Sequence, residues 1–85
     1  MLQPSLNKQA PVILVWLDIT SQTDPWIERG EASLMRPAEM HTCGWILEET
    51  DTYITIYSTY DQEGELVGDV NCIPKRAILG VKEVK

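Results

Sequence analysis

The sequence predicts an all-β fold: a small five-stranded barrel, with a long connection carrying a short helical turn after the first strand. Three observations predict it. The apolar segments are short and rich in β-branched and aromatic residues. Most of them recur at intervals of roughly 8–12 residues, separated by turn-forming Pro, Gly and Asp. No stretch carries apolar residues at helical spacing for long enough to make a core helix. Closing such strands into a barrel also removes exposed sheet edges.

Each element follows from local chemistry. Residues 1–11 contain Pro4 and Pro11 among polar residues and no periodicity, so they read as a flexible amino-terminal arm before a single domain over 12–85. The run from Val12 to Ile19 is bounded by Pro11 and by Thr20–Pro25, and its length favours a strand. Residues 20–42 form a long connection, in which Glu31–Arg36 can make one or two helical turns before Pro37 ends them. Such a long connection is either functional or stapled to the core, and Trp26, Leu34 and Met35 are the expected staples, with the Trp26 ring buried. Cys43–Thr50 reads as the second strand and Thr52–Tyr60 as the third. Period-two alternation sends Ile54 and Ile56 to the core and Tyr53, Thr55, Tyr57 and Thr59 to the other face. Asp61–Glu65 is a hairpin turn with Gly64 placed to take φ > 0. Leu66–Ile73 reads as the fourth strand, Pro74–Ala77 as a 3₁₀ turn, and Ile78–Val84 as the fifth strand.

Composition narrows the function classes. The 85 residues carry 7 Lys+Arg against 13 Asp+Glu, a net charge of −6, which argues against a protein that coats duplex nucleic acid. The longest apolar run, Val12–Leu17, is far short of a bilayer span, so no membrane association is expected. With no secretory signal, Cys43 and Cys72 read as reduced thiols in a cytoplasm, that of a host cell if the gene is a phage's. His41, Cys43 and Cys72 supply three metal-ligand types but lack a fourth Cys or His, so neither a metal nor another cofactor is expected. His41 is the sole histidine, and no nucleophile–base motif, phosphate-binding glycine loop or paired catalytic acids accompany it, so no enzymatic activity and no catalytic residue are expected.

Gly44–Trp45–Ile46–Leu47 followed by Asp51–Thr52–Tyr53–Ile54–Thr55–Ile56 resembles the first motif of the Sm-like barrels, the SH3-like fold of Sm proteins and of a bacterial RNA chaperone. Ile73–Pro74–Lys75–Arg76–Ala77–Ile78 resembles their second motif, whose short turn joins the last two strands. The overall pattern also resembles short phage proteins. The resemblance covers about half of the chain, and the chain departs from it: Thr55 stands where Sm proteins keep a base-binding Asn, and Pro74 where they keep Arg. It implies a non-enzymatic homo-oligomeric ring, a pentamer to heptamer joined through the last two strands, that binds single-stranded RNA.

On that reading the nucleic-acid-binding residues are Tyr53 and Thr55 at one strand end, with Lys75 and Arg76 in the turn. Tyr53 offers a stacking face, and the adjacent cations offer phosphate contacts. Residues 74–85 carry a local balance of +3 against −9 for the rest, so a basic end can meet either a phosphate backbone or the acidic body of the next subunit. The competing reading is an adaptor that binds a host or phage protein and no nucleic acid. Thr55, Pro74 and the net charge of −6 lean toward it.

Overall fold

A computed structural model describes residues 10–84; of the expected amino-terminal arm over 1–11, residues 1–9 lie outside the described residues, and Ala10 and Pro11 are in no helix or strand. The described residues are mainly antiparallel β. The strands are β1 (Val12–Asp18), β2 (Ala38–Glu49), β3 (Tyr53–Tyr57), β4 (Thr59–Tyr60), β5 (Val67–Gly68), β6 (Asn71–Pro74) and β7 (Ile78–Glu83). One helical turn, α1 (Arg29–Ala32), lies between β1 and β2, and a 3₁₀ turn (Lys75–Ala77) lies between β6 and β7. The main sheet has the order β6-β3-β2-β1-β7, and β4 pairs with β5 beside it.

β2 organises the sheet. It pairs with β1 up to Gly44, opposite Val12, and with β3 from Trp45 onward, opposite Tyr57. A Cβ on Gly44 would lie 2.9 Å from the Tyr57 carbonyl carbon and collide with its oxygen. Only glycine lets the two backbones approach so closely where the long strand changes partner. Ser58 Oγ reinforces the corner by donating to the Cys43 carbonyl at 2.6 Å.

The core lies on the inner face. Leu14, Ile54, Ile56 and Ile73 are buried there, with Val12, Trp16, Ile46, Ala77 and Ile78 packed around them. Burying each Leu or Ile contributes about 1.5–3 kcal/mol relative to exposure. Trp16 keeps its polar edge satisfied, its Nε1–H donating to Thr42 Oγ1 at 2.9 Å. The expected alternation of Ile54 and Ile56 into the core holds.

Four expectations need correction. The second strand starts at Ala38, not Cys43, because β1 offers these residues a ladder, so the connection ends at Pro37 and its helical turn is Arg29–Ala32 rather than Glu31–Arg36. The barrel is not closed: β6 and β7 are the two outer strands, joined by the 3₁₀ turn, but no ladder between them seals the sheet. The third and fourth strands are each broken. Ser58 leaves the ladder to bond the Gly68 carbonyl and Cys43, and Asp69 adopts φ 53°, which ends β5 before β6 begins. Asp tolerates this left-handed conformation, and Thr59 Oγ1 donates to its carboxylate at 2.9 Å. Finally, Trp26 and Leu34 are 88% and 74% exposed, so they staple nothing.

The hairpin turn is as expected. Gly64 has φ 76°, and Asp61 Oδ1 accepts the Glu65 and Leu66 N–H groups at 2.9 and 3.0 Å. The Leu66 N–H above all holds the Asp61 carboxyl below its usual range.

Candidate functional site

Two regions carry features beyond folding. The first is the end of the sheet where β2 turns into β3 and β6 into β7. Thr50 Oγ1 accepts the Thr52 and Tyr53 N–H groups at 3.2 and 3.1 Å, which fixes the β2–β3 turn. The Lys75 N–H donates to the Thr52 carbonyl at 2.8 Å, docking the 3₁₀ turn against it. Tyr53 therefore lies opposite Pro74, and Thr55 opposite Cys72. Of the four residues expected to bind nucleic acid, Tyr53, Lys75 and Arg76 meet at this end. Thr55 sits two residues further along β3, and both Tyr53 and Thr55 are half-buried.

The electrostatics of this end are less favourable to phosphate than the sequence suggested. Lys75 Nζ is 2.8 Å from Glu49 Oε2, so its charge is already partnered. Glu48 and Glu49 end β2 and Asp51 follows in the turn, three acids near the two bases. Arg76 is exposed and makes no salt bridge among the described residues.

The second region is the connection, residues 19–37. Within it only Ile27 is not exposed. Its base is tied by Thr20 Oγ1 donating to the Arg36 carbonyl at 3.0 Å. Arg36 Nη1 donates to the Ser33 and Met35 carbonyls at 3.1 and 2.8 Å, so this guanidinium closes the carbonyl end of the turn. A hollow of about 400 Å³ opens in the same segment, lined by Gln22, Asp24, Trp26, Ile27, Glu28 and Glu31. None of its three carboxylates makes a salt bridge among the described residues. The sequence signal for this region was Trp26 itself, and its exposure depended on tertiary packing that the local pattern does not encode.

A third cluster is structural. Trp45 stacks on Tyr57 with ring centroids 5.7 Å apart, and Tyr60 meets both edge-on. The rings fill the space between themselves, and Tyr57 is wholly buried. Among the described residues its hydroxyl has no hydrogen-bond partner. Burial first, and the neighbouring Tyr60 second, raise its pKa above the ordinary value.

Metal chemistry finds little here. Cys43 and Cys72 are free and exposed, and His41 Nε2 lies 2.9 Å from Glu39 Oε2 on the surface. No cluster of three metal-ligating side chains occurs among the described residues. No described helix is long and apolar enough to cross a membrane.

No family model, no curated protein and no solved structure matches the chain.

Proposed function

We propose that this chain is a non-enzymatic SH3/Sm-like adaptor that binds a partner protein through the connection between β1 and β2. One observation carries the reading: Trp26 is 88% exposed on a segment in which every residue but Ile27 is exposed. An isolated exposed Leu is ordinary, but an exposed Trp forfeits the largest burial any side chain offers, and Trp is enriched where partners bind. The strand order and the 3₁₀ turn between the last two strands support the SH3/Sm-like assignment. The open edges of β6 and β7 support edge-to-edge assembly into a ring.

The test is a photo-crosslinking residue at position 26, in cells that express the chain. The reading expects a crosslinked protein whose binding, once purified, is lost on Trp26→Ala. Crosslinks to RNA alone, or equal binding by Trp26→Ala, would overturn it.

A second reading, single-stranded RNA binding, is favoured by the meeting of Tyr53 with Lys75 and Arg76. It expects weak binding of a U- or A-rich oligonucleotide that falls steeply with salt. Arg76→Ala should abolish it, and Tyr53→Ala should weaken it by about 1–3 kcal/mol per stacked base. Equal anisotropy titrations for wild type and Arg76→Ala would remove this reading.

A further inference from the structure

We propose that the hollow around Trp26 receives an arginine side chain from a partner protein; this rests on the adaptor reading and names the chemistry of its partner. Trp26 presents an open indole on the wall of a hollow of about 400 Å³. An indole face attracts a cation through its ring quadrupole, and Trp does so best among the aromatic residues. Around it stand Asp24, Glu28 and Glu31, exposed and without salt-bridge partners among the described residues. A guanidinium answers both features at once: its plane stacks on the ring while its fork of N–H donors reaches a carboxylate bidentately. An ammonium is also drawn to the ring, but it cannot stack flat on it or grip a carboxylate bidentately. Gln22, also on the wall, adds a neutral donor and acceptor for the partner's backbone.

The same charges exclude the other occupants. Three carboxylates repel a phosphate backbone. A second copy brings a net charge of −6, so it approaches against long-range repulsion. Arg36 is spent on the carbonyls of its own turn and Lys75 is paired with Glu49, so a self-contact would have to draw on Arg29, Arg76 or Lys82 against that net repulsion. A basic segment of a different protein meets attraction at every distance.

The experiment uses the full chain and three acetylated, amidated peptides, Gly-Arg-Gly-Arg-Gly and its Lys and Glu counterparts. The reporter is the indole Nε1–H resonance of Trp26, assigned with a Trp26→Phe variant. The arginine peptide should shift it, with affinity several-fold above the lysine peptide and no effect from the glutamate peptide. Glu28→Gln combined with Glu31→Gln should weaken binding at least tenfold, as should raising the salt from low to near-molar. An unmoved Trp26 resonance at millimolar arginine peptide overturns the proposal, as does undiminished binding by the Gln variant. A crosslinked protein partner at position 26 together with an unmoved resonance would leave the adaptor standing and this chemistry wrong. A fall in oligomeric mass on Trp26→Ala would make the occupant a second copy, and would equally overturn it.

Discussion

Tyr57 places a hydroxyl in the protein interior with no hydrogen-bond partner among the described residues. Leaving such a group unsatisfied costs about 1–3 kcal/mol. Tyr57→Phe keeps the ring against Trp45 and Tyr60 and removes that cost. We expect the variant to be more stable by about 1–3 kcal/mol in urea unfolding. The pH dependence follows from the same burial. The folded pKa is raised, so the neutral phenol is favoured in the fold. Its contribution is fully present below the ordinary tyrosine value near 10 and is lost as pH rises through the folded value. Stability curves of wild type should therefore fall more steeply above pH ~10 than those of Tyr57→Phe. Equal alkaline limbs would show that Tyr57 is not the group responsible. Gly44 makes the opposite case. Its missing Cβ is the space that the Tyr57 carbonyl occupies. Gly44→Ala must push β2 and β3 apart, and overpacking of this kind costs about 1–3 kcal/mol. An unchanged urea midpoint would mean that the corner relaxes freely.

At the scale of elements, the connection shows most clearly what the sequence encoded and what it did not. β1, β3, the Gly64 turn and the 3₁₀ turn were legible because β-branched runs, a φ > 0 glycine and a short Pro-led segment act locally. Ala38–Thr42 was not legible as strand, since Ala, Glu, Met and His carry little β preference. These residues are extended because Leu14–Asp18 offer them a ladder. The break at Asp69 was hidden for a similar reason: its stability comes from Thr59, ten residues away in sequence. At the candidate site, the grouping of Tyr53 with the Lys75 turn was legible through motif resemblance. The Glu49 carboxylate that partners Lys75 was not, because that pairing spans two hairpins. Trp26 was expected to be a buried staple on hydrophobicity alone, and β1–β2 pairing instead carries the segment away from the core. A ring left 88% exposed contributes little to folding. Trp26→Ala should change unfolding free energy by less than about 0.5 kcal/mol, as surface substitutions do. A loss of about 3 kcal/mol, the cost of truncating a buried Trp, would place the ring in a core.

For the whole molecule, the described residues bury six hydrophobic side chains and expose twelve large ones. The main sheet ends in β6 on one side and β7 on the other, both open. The two edges are not equivalent. The Lys75 N–H bonds Thr52, opposite which it lies in the β3–β6 register. Alternation then turns Ile73 and Asn71 toward β3 as well, and leaves Cys72 and Pro74 facing outward. Pro74 has no N–H, so the Cys72 N–H is the only donor that Asn71–Pro74 offer a new strand. Edge pairing through β6 is thus weak in hydrogen bonds, and an assembly built on it must draw on side chains. β7 supplies them: Leu79 and Val81 are more than half exposed beside its open edge. Val81 lies opposite Leu14, yet the unclosed sheet leaves it uncovered. If β7 of one copy lies along β6 of the next, Val81 gains the cover that the isolated chain lacks. Light scattering at micromolar concentration should then give five to seven times the 9.6 kDa chain mass. Val81→Lys should return it to the mass of one chain while leaving the strand content unchanged by circular dichroism. The net charge of −6 opposes assembly, so added salt should strengthen it. A wild-type mass of one chain would remove the ring, and an oligomer unaffected by Val81→Lys would place the contact elsewhere than β7.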